Sequence, residues 1–458
     1  MILRRRDLTA LPGGSGRALH AGRRSGGGRS RRRGLAALVL PIILLACQTG
    51  SAAGHELPED DPLRRAALAG DAAAQLDLAR EFFFGTPKRQ ANPALAAWWF
   101  RKAAEQGSSE GHYNYGACLE HGWGVSRNLH HALREYRAAD PLPAARFRMA
   151  RLLLAGIPEE EGEHSLRMAA IPPAPARALT ELRRLAENSY PPALLELARL
   201  LMKEREAKRN ADPKRDAELR RLAERAAALD GASSEAKFLC SHLRRLGIGG
   251  SVDEKGARRL LDDAADDGYP PAIARLAAEY EGAPGTPADP QRALELYRLA
   301  AEAGEPSALC WLGRRHLEGE LLPHDPAEAR KLLEQAAAKE YPPAFALLGD
   351  ARRFGYGAPA DPAAAFASYE HGARLGDPVA QQRLGHCYLR GIGVEADPTA
   401  AVFWFKCAGA KENVEAVREL GVALINGDGV PADPAEGMKM LQAAAANGDP
   451  VARQLLKK

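Results

Sequence analysis

The chain has 458 residues, 46% hydrophobic, 27% charged and only 6% aromatic, the balance of a folded protein with apolar faces to bury. Its formal charge of +4 misleads, because ten arginines against Asp7 alone put +9 on residues 1–46 and leave −5 on the rest. A mildly acidic body of mixed sign lacks the basic face that nucleic-acid binding requires, so nucleic acid is not expected as a partner.

The positive charge belongs to a leader over residues 1–47. Behind Arg31–Arg33 runs GLAALVLPIILLACQTG, whose uncharged core from Leu35 to Ala46 is 12 residues long. A membrane-spanning helix needs about 20. A basic start, a short apolar core and small residues fit a secretory signal. LLAC at Leu44–Cys47 resembles the bacterial lipobox, which implies cleavage before Cys47 and a lipid on its sulfur. Leu45 and Pro41 depart from the usual pattern. SAAG at Ser51–Gly54 offers a competing cut after Ala53, which would give a periplasmic or secreted protein. Gln48 rather than Asp after the cysteine implies the outer membrane, by analogy with enterobacterial sorting. Residues 48–60 read as a linker.

From residue 61 onward the punctuation is Pro and Gly, with few β-branched runs, so the expectation is short helices without strands. YPPA occurs at Tyr190, Tyr269 and Tyr341, the last two 72 residues apart. Two prolines in succession are expected to stop a helix, which makes YPPA the joint between units. Aligned on its alanine, Ala236, Ala272, Ala308, Ala344, Ala380, Ala416 and Ala452 recur every 36 residues. Leu276, Leu312, Leu348, Leu384 and Leu420 follow four positions later, with Cys240 in the same slot. Asp-Pro recurs at Asp289, Asp325, Asp361, Asp397 and Asp433. An aspartate can cap exposed backbone N–H groups, and proline suits the first helical position, so each Asp-Pro predicts a helix start. Tyr297, Tyr369 and Phe405 lie with small residues on one stripe of the helix that follows. Glycine pairs such as Gly391/Gly393 release the preceding helix into a turn.

A unit is therefore a helical hairpin too small to bury its own faces, which must stack on its neighbours. Residues 236–450 carry the regular 36-residue form. Residues 61–235 carry unevenly spaced units beginning at Ala74, Gly111, Ala145 and Ala193, with 156–178 least regular, and 451–458 form a capping helix. The fold class expected is all-α, an α/α superhelical solenoid.

The stretch AQQRLGHCYLRGIGVEADPTAAVFWFKCAGAKEN, from Ala380, resembles the Sel1-like repeat, a variant of the tetratricopeptide hairpin. The resemblance implies a non-catalytic scaffold of the bacterial cell envelope that binds other envelope proteins, with membrane contact only through a lipid on Cys47. Some cysteine-rich relatives are linked to β-lactam hydrolysis, which makes a cell-wall enzyme the alternative.

The residues that could carry chemistry read more simply. His112, His121, His130 and His131 contain no pair at the one-turn spacing favoured by metal sites. Besides Cys47 there are Cys118, Cys240, Cys310, Cys387 and Cys407, an odd number that reads as buried small hydrophobes. Glu159–His164 reads as a solvated loop, GIGV and GDGV as turns, and Trp98–Phe100 and Phe403–Phe405 as core. No catalytic residue, cofactor, metal or small-molecule substrate is expected.

Overall fold

A computed structural model describes residues 61–87, 90–161, 167–208, 212–229, 231–282 and 287–457. Cys47 and the leader lie outside the described residues. The chain divides into two compact units, Met1–Ala232 and Ser233–Lys458.

In the first unit, α1 (Pro62–Leu68) precedes four hairpins: α2 (Ala72–Phe84) with α3 (Pro93–Glu105), α4 (Ser109–His121) with α5 (Leu129–Ala138), α6 (Pro143–Ala155) with α7 (Pro175–Glu187), and α8 (Pro191–Lys208) with α9 (Pro213–Ala228). The second unit holds six hairpins and a cap. They pair α10 (Ser234–Leu246) with α11 (Glu254–Asp266), α12 (Pro270–Tyr280) with α13 (Pro290–Glu302), and α14 (Pro306–Glu318) with α15 (Pro326–Ala337). Then α16 (Pro342–Phe354) pairs with α17 (Pro362–Arg374), α18 (Pro378–Arg390) with α19 (Pro398–Gly409), and α20 (Val414–Asn426) with α21 (Pro434–Ala446), before α22 (Pro450–Leu455). The fold is an α/α solenoid of stacked hairpins.

The second helices of the hairpins from α12 onward start as Asp-Pro chemistry dictates. Asp289, Asp361 and Asp397 each accept a hydrogen bond from a backbone N–H three residues on, at 2.9–3.0 Å, and proline takes the first helical position. In the first unit Asn92 and Asn128 fill the same role, to the Leu95 and His131 N–H groups. The prolines of YPPA act differently from expectation. They do not stop the helix before them: Pro270 and Pro342 open α12 and α16, with Tyr269 and Tyr341 at the cap position lacking a side-chain bond. The N–H that proline lacks would be unpaired at a helix start in any case, so the pair is tolerated there without loss.

The expectation that strands are absent also needs correction, at one place. Between α6 and α7 the backbone forms a ribbon in which β1 (Glu160–Glu161) pairs antiparallel with β2 (Arg167–Met168). Ile157 and Ile171 exchange both backbone hydrogen bonds at 2.8 Å, and Ile157 is buried in the core of the first unit. The acidic stretch from Glu159 is thus rooted by a ladder rather than being a free loop. Its residues 162–166 lie outside the described residues.

Hairpins close by seating a ring on a glycine. A Cβ at Gly349 would lie 2.3 Å from the Tyr369 ring, and one at Gly385 would lie 2.5 Å from Phe405. Gly116 meets Tyr136 in the same way at 2.9 Å. Where the ring is tyrosine its hydroxyl reaches a carboxylate on the partner helix: Tyr369 donates to Asp350 at 2.6 Å and Tyr297 to Glu281 at 3.0 Å. Burial, with the carboxylate adding to it, raises both phenols well above their ordinary range and keeps them as donors.

The periodic alanines Ala272, Ala308, Ala344, Ala380 and Ala416 are all fully buried. Ala380 faces Gly372 so closely that a Cβ on the glycine would approach it to 2.9 Å. Ala380→Leu is expected to destabilise the chain by about 1–3 kcal/mol through overpacking. Urea denaturation checks this, and a leucine variant as stable as the parent would refute the close approach.

Candidate protein-binding groove

Successive first helices of the second unit touch one another, α12 with α14 and α14 with α16. Because side chains on one helix face recur every three or four residues, these helices present a row of aligned positions. A groove of about 520 Å³ opens along this row, within the roughly 300–1,000 Å³ common for ligand clefts.

Its floor is a stacked pair, Tyr297 of α13 and Trp311 of α14, with ring centroids 4.1 Å apart and planes 17° from parallel. The stack is locked from behind. Glu281 accepts from the Trp311 indole Nε1 at 2.8 Å, from the Tyr297 hydroxyl at 3.0 Å and from Arg315 Nη2 at 3.1 Å. Arg315 also lies over the Trp311 ring, 4.9 Å from its centroid. Phe238 and Tyr341 contribute further aromatic surface to the lining, and Arg275 and Arg314 are exposed at its edge. Glu305 also lines the groove, but its carboxylate is engaged by the Ser307 hydroxyl at 2.8 Å. Cys310 adds a thiol that burial pushes up to about 11, hence neutral at ordinary pH. A rigid aromatic floor with polar groups at the edge suits non-covalent recognition.

The other residues singled out in the sequence fall as follows. His112 and His131 come from α4 and α5 and meet on Glu135, at 2.7 and 3.1 Å. Burial alone would raise the Glu135 carboxyl, but hydrogen bonds from His131 and His112 outweigh it and lower its pKa. That pairing spans two helices and was invisible to a search for one-turn histidine pairs. His121 stacks on Trp123, with centroids 4.4 Å apart, and His130 faces the Pro158 carbonyl at 3.2 Å. Among the described residues no cluster of His, Cys, Asp and Glu has the form of a metal site. Cys118, Cys240, Cys310 and Cys387 are buried thiols, and Cys407 is a half-buried one. Trp99, Phe100 and Phe405 are core as expected, whereas Phe403 is 57% exposed and corrects that expectation. The following Trp404 packs edge-on against it rather than covering it.

Comparison with known proteins bears on the array directly. The Sel1 repeat matches residues 72–108, 109–134, 270–305, 306–341, 343–377, 378–413 and 414–449, together more than half of the chain. Between matches, the α6–α7, α8–α9 and α10–α11 hairpins continue the same architecture through sequence that has drifted from the pattern. Two curated relatives are DAP3-binding cell death enhancer 1 of Rattus norvegicus, 38% identical over 81 residues, and of Mus musculus, 40% identical over 74. The aligned segments cover 17% and 16% of this chain and 16% and 14% of those proteins, so the chain spans only about a sixth of their length. Among solved structures, a protective antigen of uropathogenic Escherichia coli with an SLR fold aligns over 86% of this chain and 89% of its own, at 22% identity and a TM-score of 0.45. A Sel1 repeat protein from Oxalobacter formigenes aligns over 50% of this chain and 94% of its own, at 28% identity and the same score. Periodic buried alanines, rings seated on glycines, Asp-Pro caps and the repeated match together identify the chain as a member of the Sel1-repeat family, whose arrays act as protein-interaction scaffolds.

Proposed function

We propose that the chain is a non-catalytic scaffold of the bacterial cell envelope, lipid-anchored through Cys47 in the outer membrane and facing the periplasm, where it assembles or regulates an envelope complex. The observation that carries the scaffold reading is the aromatic groove built jointly by several repeats, a surface that no single hairpin could present. Support for the envelope comes from the sequence alone: a basic leader, a 12-residue apolar core and LLAC ending at Cys47. No helix among the described residues is long and apolar enough to cross a membrane, so in this reading the lipid is what holds the protein at the membrane.

The test has two parts. Labelled palmitate is expected to enter the wild type and not Cys47→Ala, and label retained in the variant would remove the anchor. Crosslinking pull-down from membranes is then expected to lose its envelope partners when residues 306–377, two whole repeats, are deleted. An unchanged set of partners would defeat the scaffold reading.

A further inference from the structure

Arg275 and Arg314 stand on neighbouring first helices, α12 and α14, at the edge of the groove, and both are exposed. Other arginines nearby are committed. Arg315 pairs with Glu281, Arg245 and Arg258 with Glu279, and Arg383 with Asp350. Arg275 and Arg314 form no ion pair among the described residues. The carboxylate in the lining, Glu305, accepts a hydrogen bond from the Ser307 hydroxyl on one oxygen and keeps its charge. The Trp311 ring, on the same helix as Arg314, shares the lining with these cations, with Phe238 of α10 and Tyr341 at the cap of α16 lining it to either side. The lining thus sets two arginines against one carboxylate beside an aromatic bed, a net positive groove complementary to an acidic partner that also carries apolar residues.

We infer that this groove takes an extended acidic segment of a partner protein, whose carboxylates meet Arg275 and Arg314 while an apolar side chain seats against Trp311. The inference rests on the scaffold reading and adds to it the chemistry of the partner. Packed helices lie about 8–10 Å apart, and an extended chain advances about 3.3 Å per residue. A spacing of three positions, about 10 Å, is the one tested. Arginine suits this role because its planar fork can grip a carboxylate through two hydrogen bonds. The Tyr341 hydroxyl, kept protonated by burial, is available as a further donor to a peptide carbonyl.

The probe is a short fluorescein-labelled peptide with two glutamates three positions apart around a phenylalanine, compared with its glutamine counterpart. Anisotropy with the full chain in detergent at low salt is expected to show the acidic peptide binding about tenfold tighter. The advantage should shrink as salt screens the exposed arginines. In the Arg275→Gln, Arg314→Gln double variant the two peptides should bind alike, with the melting temperature unchanged because both side chains are exposed. Trp311→Phe should weaken both peptides and keep the preference for acid. A wild type without preference, or a double variant that retains it, overturns the inference. Binding of phosphatidylglycerol vesicles through the same two arginines, without peptide binding, also overturns it. If the peptide fails while deletion of residues 306–377 still strips partners in the pull-down, the groove chemistry falls and the scaffold stands.

Discussion

Gly393→Ala is expected to cost the second unit about 3 kcal/mol, a large loss for adding a single methyl group. Two effects combine. Gly393 has φ +71°, where an ordinary side chain costs about 1–2 kcal/mol. A Cβ there would also lie 2.1 Å from the Pro362 carbonyl oxygen at the start of α17, in the preceding hairpin. Backbone is on both sides of this contact, so relief requires the hairpins to part, adding about 1–3 kcal/mol. Gly391 is the control. It has φ +65°, but its nearest neighbour to a new Cβ is 3.4 Å away, so Gly391→Ala carries the conformational cost alone. Urea denaturation of the two variants should separate them, with hydrogen exchange rising in α17 and α18 only for Gly393→Ala. Equal losses at the two positions would show that the approach between hairpins does not limit stability.

Glu279→Leu should be the second large effect. Glu279 on α12 is 4% exposed and holds two arginines of the preceding hairpin: Arg245 of α10 grips one carboxylate oxygen, and Arg258 of α11 donates to the other at 3.0 Å. The three side chains tie α12 to both helices of its neighbour. Leucine fills the space but removes the charge-assisted hydrogen bond from Arg258, typically about 1.5–3 kcal/mol, and the ion pair with Arg245. Arg245 and Arg258 are partly exposed and Arg258 keeps Asp262 at 2.8 Å, so they recover some hydration. The expected net loss is about 2–3 kcal/mol, since only one partner of the buried cluster is replaced. Glu279→Gln, which retains one acceptor, should lose about half as much. Denaturation midpoints that place leucine at or above wild type would mean the cluster only breaks even with apolar packing.

What could be read from the chain, and what could not, divides by distance along it. The Asp-Pro caps were legible because the carboxylate and the N–H groups it satisfies lie within three residues. The buried alanines were legible because the period repeats, and repetition at 36 residues has no compositional cause. Asn92 and Asn128 escaped only because their units use the amide in place of the carboxylate, a substitution that capping chemistry allows. The direction of the YPPA prolines was misread because a proline pair is compatible with either end of a helix, and only the φ/ψ of Tyr269 and Tyr341 decide which. The ribbon between α6 and α7 was hidden because its strands are two residues long and the Ile157–Ile171 bridge stands apart from them, below any period-2 signal. The groove was out of reach altogether. Its lining spans Phe238 to Pro343, and the Tyr297–Trp311 stack joins two helices whose ring positions carry no mark of facing each other. Cluster chemistry such as Glu135 between His112 and His131 fails for the same reason, since a partner 23 residues away has no local signature.

The approach of Gly393 to Pro362 has equivalents one unit away on either side: Gly357 would meet the Pro326 oxygen at 2.4 Å and Gly429 the Pro398 oxygen at 2.1 Å. Because these three seams are alike, excising one full period between them brings together two edges that already fit. Lineages can therefore shorten or lengthen such an array by unequal recombination without redesigning any contact, and the reach of the binding surface becomes a heritable quantity that changes in whole steps.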